Sequence, residues 1–321
     1  EAKTKNPIIL YKKNKIELQS ISTVLPLLSL FTQDAKIENV KFITKKNKLR
    51  DLIEFGRGFQ NSPQLFILKK VVKSGDISVE AKINFSEDGS ISKDYVIDGD
   101  LENVKLRLLN KDIIENIKFG FILKDKDYVI YNASSLYQDI KFKSDEIRIK
   151  EKDSAFLFNG NISTPKDDLN LKMISKIFQI DLESIENDKI IFSSNNKFSF
   201  KLSKKFKFSN IKANSKFNVE SLEYLNSSLK EFFPGYKNRV KFENNVINLD
   251  YQNGNYKISG DSKLNVNDDT DNLSYSIDKK KDKIFFKTDF EVKNNALNFK
   301  LLNYTKKKGV KSNLIVEGVV N

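Results

Sequence analysis

The sequence predicts a mainly β protein: a long, twisted antiparallel sheet with one apolar face, and a few short helices. From Gly75 onward, apolar and polar residues alternate, which is the period of a strand with one covered face. The aromatic residues are 25 Phe and 11 Tyr without Trp, and aromatic and β-branched side chains favour strands. Short polar turns such as Lys124–Asp127 separate the alternating runs, as in antiparallel hairpins.

The period of the pattern divides the chain into three sections. Residues 1–74 mix helical and strand-like segments, and we expect them to form an α/β cap or the start of the sheet. Residues 75–165 are predicted to form one section of the groove, and residues 166–321 continue it. Predicted helices at about 168–178 and 219–232 interrupt this last section.

Three helices are predicted in the first section. A helix-like stretch covers residues 17–31, and a second helix covers Leu49–Phe59, whose leucine and isoleucine side chains share one helical face. Asn61 or Ser62 is placed to cap a third helix, with Pro63 at its first position. Strands are predicted beside them at residues 8–10 and 35–44.

The apolar positions of the alternating runs are the candidate functional residues. Such a face is either a dry core, in a sandwich or closed barrel, or an open groove that holds a ligand, and the pattern is compatible with both. In the groove interpretation, Phe121→Glu or Phe158→Glu blocks passage of the ligand and leaves the fold intact. The predicted lining consists of Phe119, Phe121, Leu123, Phe156, Phe158, Ile162, Phe198, Phe200, Leu202, Phe242, Phe286, Phe290 and Phe299.

Four glycines stand inside strand-like runs: Gly99, Gly160, Gly260 and Gly318. A glycine inside a strand marks a bulge or a close approach by another group. One interpretation is therefore a set of bulges that curve the sheet. The other is that the missing side chains keep an apolar groove open.

The composition argues against an enzyme. The 321 residues include no His and no Cys, which excludes Ser-His-Asp and Cys-His catalysis and zinc sites of the His/Cys kind. Paired carboxylates could still cleave glycosides, but Asp98 and Asp100 stand in turn-like or solvent-facing contexts. We therefore expect no catalytic residue, no metal and no cofactor.

The net charge of +13 attracts phosphate groups, whether of nucleic acid or of anionic lipid. Lysines are scattered over the polar positions, and no nucleic-acid-binding signature is present, so nucleic acid is not the expected partner. The Lys runs at 279–281 and 306–308 are predicted to be exposed turns, where a lipid headgroup is a possible contact. No run of 18 apolar residues is present, and we expect any signal peptide or membrane anchor to lie outside this sequence.

Two segments resemble the AsmA-like family, in particular the large YhdP/TamB-type bridge-like lipid transfer proteins of Gram-negative bacteria. They are residues 75–110, GDISVEAKINFSEDGSISKDYVIDGDLENVKLRLLN, and residues 114–133, IENIKFGFILKDKDYVIYNA. The upstream segment 42–75, FITKKNKLRDLIEFGRGFQNSPQLFILKKVVKSG, is similar to segments of large members. The resemblance covers residues 20–165.

The resemblance implies a U-shaped β-groove with an apolar concave face that passes phospholipid acyl chains between the inner and outer membranes. It also implies a periplasmic location, a tether to the inner membrane, and envelope proteins as possible further partners. The function expected from the sequence is therefore non-enzymatic lipid binding and transfer. The alternative is a structural or adhesive β-rich surface or periplasmic module without a ligand.

Overall fold

The computed structural model describes residues 1–11, 14–24, 37–59, 62–86, 92, 94–108, 112–153, 155–178, 185 and 189–320. Over these ranges the protein is mainly β, with 18 strands in one antiparallel sheet, a separate two-stranded hairpin and a few short helices. The prediction of a mainly β, antiparallel fold is therefore confirmed. The chain divides into two compact units, Glu1–Gly160 with Leu202–Phe206, and Asn161–Lys201 with Lys207–Asn321.

The first unit is a sheet whose strands follow one another closely in sequence. Strand β3 pairs with β1 and β2 on one side and with β4 on the other. Strands β4 and β5 both pair with β6, and from β6 to β10 each strand pairs with the next. The elements are β1 (Ala2–Lys5), β2 (Ile8–Tyr11), β3 (Asn14–Thr23), β4 (Asn39–Thr44), β5 (Asn47–Lys48), α1 (Leu49–Phe59), α2 (Pro63–Val71), β6 (Val72–Asn84), β7 (Val96–Arg107), β8 (Ile113–Lys124), β9 (Asp127–Tyr137) and β10 (Ile140–Lys152).

Two of the three helices predicted in this section are confirmed. Helix α1 has the predicted bounds, and α2 begins at Pro63 with the Oγ of Ser62 accepting a hydrogen bond from the backbone N–H of Leu65 at 3.3 Å. The helix predicted at 17–31 is wrong over residues 17–23, which belong to β3, and residues 25–31 lie outside the described ranges. The β-branched and Ser residues of this stretch disfavour a helix, and its alternation fits the strand.

The second unit is a meander that ends on a strand from later in the chain. Strands β13 to β17 each pair with the next, and β17 pairs with β20. Strands β11 and β12 contribute residues to both units. The elements are β11 (Ala155–Asn170), α3 (Leu171–Phe178), β12 (Lys189–Ser203), β13 (Phe208–Leu225), a 3-10 turn (Ser228–Glu231), β14 (Arg239–Gln252), β15 (Asn255–Val266), β16 (Asp269–Lys280), β17 (Lys283–Val292), β18 (Leu297–Phe299), a 3-10 turn (Lys300–Leu302), β19 (Tyr304–Lys306) and β20 (Ser312–Val320).

The two helices predicted in the last section have different outcomes. Helix α3 is present but begins at Leu171, because β11 extends to Asn170. The helix predicted at 219–232 is wrong, since β13 continues to Leu225 and only a 3-10 turn follows. Leu222 lies opposite Phe242 in β14, so cross-strand packing prevails over the helix propensity of the local Leu and Glu residues.

The strands are bent by bulges at asparagines. Asn103, Asn116, Asn132 and Asn244 have left-handed backbone with φ between 51° and 52°, and each stands at a shift of the pairing register. Asparagine tolerates this conformation better than other non-glycine residues. Because a bulge bends its strand and increases the local twist, these asparagines curve the sheet.

Candidate functional site

The sheet of the second unit has one apolar face. Leu249, Ile258, Ile277 and Phe286 lie directly opposite one another across β14, β15, β16 and β17, in a row that ends at Gly318 of β20. Residues that pair directly share a face of the sheet. The neighbouring row on the same face contains Phe217, Ile247, Gly260, Tyr275, Thr288 and Val316.

The other face of this sheet is polar. One of its rows consists of Lys216, Asn248, Ser259, Ser276, Lys287 and Glu317, which again lie opposite one another on successive strands. In this row the polarity is opposite to that of the apolar face, as expected for a sheet that buries or binds on one side.

One end of the apolar face is covered by a cap. The cap consists of residues 228–236 and β18, and its buried Phe233 packs against Phe290 of β17 with the ring centroids 6.2 Å apart. Phe232 and Phe299 pack within the cap, with centroids 5.2 Å apart. The buried cluster beneath the cap consists of Phe233, Tyr236, Val240, Leu264, Val266, Phe290, Val292 and Leu297.

The rest of this face is not part of the buried cluster. Leu249, Ile258, Ile277 and Phe286 are each half-buried and are not among the residues packed against the cap. The next row toward the hairpin ends contains Tyr251, Tyr256, Lys279 and Ile284. We call these two rows the open strip.

A cation stands at the end of the open strip. Lys279 shares the apolar face, and its Nζ lies 5.7 Å from the centre of the Tyr256 ring. Lys281, which follows in the β16–β17 turn, donates its backbone N–H to the Oδ1 of Asn255 at 2.9 Å, so the two neighbouring hairpin ends are held side by side. Lys281 and Lys283 are exposed. The strip thus places a row of apolar residues beside a row in which Tyr256 stands opposite Lys279.

The first unit has an apolar face of the same kind. Ala81, Ile97, Leu123, Tyr128 and Ile149 form one row across β6 to β10. A second row on that face contains Val79, Gly99, Phe121, Ile130 and Ile147, and the opposite face contains Ser78, Asp100, Gly120, Tyr131 and Glu146.

Helix α1 covers part of this face and leaves the remainder half-buried. Leu49 and Ile53 of the helix pack into a buried cluster with Val72, Ile77, Val79, Ala81, Leu101 and Val104. Ile97, Phe119 and Phe121 border this cluster. Leu123, Tyr128, Ile130, Ile147 and Ile149 lie beyond its border and are all half-buried.

Twelve of the thirteen residues predicted to line a groove are half-buried, and only Phe290 is buried, so most of them are in partial contact with solvent. The structure places Phe299 in the cap rather than in the sheet face. Phe198 and Phe200 lie in β12 with their ring centroids 5.9 Å apart. The sequence analysis missed Ile258, Ile277 and Lys279 as members of the strip. Only the strand register, which aligns these residues with or beside Phe286, shows that they belong together.

The in-strand glycines lie against bulky neighbours. Gly99 lies opposite Phe121, Gly260 opposite Tyr275 and Gly318 opposite Phe286, and the register runs without a shift through all three. In each case the aromatic ring occupies the space that a Cβ atom would need. Gly160 lies beside Ile147, whose Cγ1 is 3.0 Å from such a Cβ position. The asparagine bulges lie elsewhere, at Asn103 in β7, Asn116 in β8, Asn132 in β9 and Asn244 in β14.

Neither Lys run is the wholly exposed turn that the sequence predicted: Lys279 is half-buried in β16, and Lys306 is buried at the end of β19. Lys306 is only 3% exposed, and its Nζ donates to the carbonyl oxygen of Asn295 at 2.7 Å and to that of Lys293 at 3.2 Å. The buried carboxylate of Asp271 accepts the backbone N–H groups of residues 293, 294 and 295 at 2.7 to 2.9 Å. Lys306 therefore binds carbonyl groups of this turn, and Asp271 binds its backbone N–H groups.

A polar cavity of about 610 Å³ lies beside the start of α1. Its walls carry charges of both signs, and Lys48 pairs with Asp76 across 2.7 Å, which lowers the pKa of the Asp76 carboxyl. The remaining lining residues are Arg50, Asp51, Glu54, Lys73, Ser74, Gly75 and Asn103. Across the described ranges, no cluster of three or more Asp or Glu side chains is arranged to hold a metal ion.

None of the helices in the described ranges is long and apolar enough to span a bilayer. Comparison with known proteins finds no matching family model, no matching curated protein and no matching solved structure.

Proposed function

We propose that this protein binds acyl lipids without catalysing a reaction, and that the open strip of the second unit is a binding surface. The observation that supports this most directly is that the strip places apolar side chains beside a cation. Half-buried Leu249, Ile258, Ile277 and Phe286 form one row, and Tyr256 and Lys279 stand opposite each other in the next row on the same face. An amphiphile also joins hydrocarbon to a charged headgroup through an interfacial region.

The size of the strip fits an acyl chain. The apolar side chains of its first row stand on four neighbouring strands, β14 to β17, which at about 4.8 Å per spacing gives roughly 14 Å. One leaflet of a bilayer core is about 15 Å thick, so the row is about as long as an extended acyl chain in a leaflet. Each methylene that leaves water contributes about 0.8 kcal/mol, so a chain of a dozen methylenes gains several kcal/mol even when one side stays exposed.

The charge at the end of the strip favours a phosphate-bearing headgroup. Lys279 shares the face of the strip, Lys281 follows in the turn, and Lys283 stands at the same hairpin end opposite Lys280 on the other face. Their ammonium donors suit phosphate oxygens. The Nζ of Lys279 lies 5.7 Å from the centre of the Tyr256 ring, which places this cation beside the apolar residues.

Transfer between membranes is the extension of this proposal. A lipid on an open sheet face keeps its headgroup in water. Because successive strands carry apolar residues on that face, the acyl chain can move along the sheet without leaving the apolar surface. Together with the resemblance to AsmA-like proteins, this supports phospholipid transfer between the inner and outer membranes by a tethered periplasmic protein.

The test compares two substitutions on adjacent residues of β16. Ile277→Glu puts a carboxylate into the open strip, whereas Ser276→Glu puts the same charge on the polar face one residue away, and both positions are half-buried. We expect native mass spectrometry of detergent-free protein to show bound phospholipid for the unmodified chain and for Ser276→Glu, and loss of it for Ile277→Glu.

A second pair tests the first unit. Ile130 and Val129 are adjacent, apolar and half-buried in β9, but Ile130 faces Phe121 whereas Val129 faces Ile122. Ile130→Glu is expected to reduce transfer of fluorescent phospholipid between vesicles, and Val129→Glu is not. If the unmodified protein carries no lipid and transfers none, the apolar faces serve protein packing and the structural-module alternative replaces this proposal.

A further inference from the structure

The tip of the β18–β19 hairpin presents two leucines to solvent. Its strands are joined by the 3-10 turn Lys300–Leu302 and by Asn303, whose φ is 50°. Leu301 is 100% exposed and Leu302 is 76% exposed, the two largest exposed fractions among the large hydrophobic residues of the described ranges. Tyr304, the first residue of β19, is 42% exposed. Single exposed apolar residues are ordinary, whereas a contiguous apolar projection marks an interaction surface.

The base of this hairpin is fixed to the rest of the second unit. Leu297 is buried in the cluster beneath the cap, and the centroid of the Phe299 ring lies 5.2 Å from that of Phe232. The backbone N–H of Asn298 donates to the carbonyl oxygen of Phe232 at 2.9 Å. Lys306, at the end of β19, binds carbonyl groups of the turn at residues 293–295. The two leucines are therefore exposed on an anchored hairpin whose other apolar residues pack against the cap.

The hairpin lies in a basic segment without acidic residues. From Lys293 to Lys311 the chain has six Lys and no Asp or Glu. Lys306 is buried, and the Nζ of Lys308 pairs with the Oδ1 of Asp269 at 2.6 Å. An anionic surface is therefore complementary in charge to the surroundings of the leucines. The other four lysines of the segment are exposed: Lys293, Lys300, Lys307 and Lys311.

Apolar, aromatic and basic groups follow one another along the hairpin as they do at a membrane surface. The leucines form the tip, Phe299 and Tyr304 pair next to them, and Lys307 follows the last residue of β19. Three residues at about 3.4 Å each place Lys307 roughly 10 Å from the turn. Interfacial elements bury their apolar side about 5–10 Å into the boundary between headgroups and acyl chains, with aromatic rings at the level of the headgroups. The hairpin therefore has suitable dimensions for shallow insertion with its lysines among phosphates.

We propose that this hairpin docks the protein on a membrane surface that contains anionic phospholipid, with Leu301 and Leu302 inserted among the headgroups. Two leucines bury less apolar surface than a myristoyl chain, and one such chain gives only marginal, reversible binding. The contact therefore orients the protein on the bilayer and adds to other contacts rather than anchoring it. The open strip takes up a single lipid, whereas the hairpin contacts the bilayer itself, so this proposal does not depend on the proposed function.

A single tryptophan tests the insertion, because the chain has no Trp of its own. With Leu302→Trp, vesicles of anionic phospholipid are expected to shift the fluorescence emission to shorter wavelength and to protect it from quenching by acrylamide. Phe285→Trp is the control. Phe285 is 41% exposed on the polar face of β17, opposite Asp278 and Val319, and no shift is expected there.

Removal of the apolar tip tests the same contact by affinity. The double variant Leu301→Asn with Leu302→Asn leaves the net charge unchanged and is expected to bind these vesicles at least about tenfold more weakly, since neither side chain then gains by leaving water. The matched control is Ile315→Asn with Val319→Asn, at residues that are 50% and 53% exposed on the polar face of β20. This control is expected to bind as the unmodified protein does.

The lysines are tested by Lys300→Gln, Lys307→Gln and Lys311→Gln together in the Leu302→Trp protein, which should then need more anionic lipid for the same shift. The proposal is overturned if Leu302→Trp shows no shift, if Phe285→Trp shifts equally, if the double leucine variant binds as tightly as its control, or if the lysine variant needs no additional lipid. All of these residues are at the surface, and unchanged circular dichroism separates loss of docking from unfolding. Ile277→Glu should leave the shift of Leu302→Trp unchanged, so failure of the open strip and failure of the hairpin are distinguishable.

Discussion

The ring of Phe121 lies across Gly99 of the neighbouring strand, with its Cζ atom 2.8 Å from the position that a Cβ of residue 99 would take. The carbonyl oxygen of Ser78, in the strand on the other side, is 2.6 Å from the same position. Gly318 lies beside Phe286 in the same way. These glycines are therefore part of how aromatic residues pack on the apolar face, and the ring fills the space that the glycine leaves.

Gly99→Ala is expected to destabilise the protein by about 1–3 kcal/mol, because the added methyl group must displace a ring and a backbone carbonyl that are already in contact. Gly56→Ala is the control. Its Cβ would meet nothing closer than 3.7 Å, and alanine inside α1 is expected to stabilise by about 0.5–1 kcal/mol. Urea unfolding of the two variants measures both effects. Equal stability of both variants would contradict the packing role of Gly99.

Asn244 is expected to tolerate glycine and to resist β-branched residues. It is exposed, has φ 52°, and stands at the register shift between Glu243 and Val246. Asn244→Gly keeps the left-handed backbone accessible and should change the free energy of unfolding by less than about 0.5 kcal/mol. Asn244→Val should cost about 1–3 kcal/mol, because a β-branched residue is strained in that conformation.

The control for this prediction is Asn248→Val, four residues further along the same strand. Asn248 is also exposed, but it lies in the regular ladder opposite Lys216 and Ser259. Valine suits that position, so thermal or urea unfolding should show no loss of stability there. A similar loss at both positions would mean that the bulge at Asn244 does not determine the effect.

The alternation of apolar and polar residues was enough to predict the fold class. In a sheet with one apolar face, the polarity of each residue indicates the face on which it lies. The same local pattern failed at residues 219–225, where Glu and Leu spacing fits a helix equally well. Only the pairing of Leu222 with Phe242 decides for the strand. The spacing of apolar residues within a segment does not indicate which residues of another strand will lie opposite them.

Alternation likewise predicted some residues of the candidate site but not how they are arranged. Phe286 and Phe121 could be named from alternation, but the row that joins Phe286 to Ile277 and Ile258 depends on register across two hairpins. The burial of Lys306 was missed because it depends on the turn at residues 293–295, which is distant in sequence. Asparagine bulges were missed because glycine is the stronger sequence signal for irregular strands.

Asp271 is expected to make stability fall in acid. Burial raises the pKa of this carboxyl, but hydrogen bonds from Asn294, Lys293 and Asn295 outweigh that effect and hold the pKa below its ordinary value. The stabilisation is therefore fully present above the unfolded pKa of about 3.9 and is lost as pH falls through the lower folded value. Asp271→Asn should cost about 1–3 kcal/mol at pH 7, because an amide nitrogen replaces one of the two acceptor oxygens.

Urea unfolding at a series of pH values between neutral and about 2 checks this. The difference between the unmodified protein and Asp271→Asn should be constant near neutral pH and should shrink in acid as the carboxyl becomes protonated. Asp282→Asn, in the exposed β16–β17 turn, should lie within about 0.5 kcal/mol of the unmodified protein throughout. A difference that grows as the pH falls would have the wrong sign for this role of Asp271.

The lysines at the end of the open strip are expected to control binding to anionic membranes. Replacing Lys279, Lys281 and Lys283 together by Gln removes three charges from this hairpin end, and one of them, Lys279, lies beside Tyr256. Since each Lys near an anionic surface contributes about 1 kcal/mol, the triple variant should bind vesicles of anionic phospholipid about 100-fold more weakly. Binding of the unmodified protein should itself weaken as salt is raised.

Vesicle co-sedimentation with anionic and with zwitterionic phospholipid measures this effect, and a matched variant controls for net charge. Replacing Lys189, Lys216 and Lys287 by Gln removes the same charge from exposed positions outside the open strip. If the position of the charge matters, this control keeps nearly full binding and the strip variant loses it. Equal losses in both would mean that vesicles attract the protein through its net charge of +13 alone, and the lysines at the end of the strip would have no special role in headgroup binding.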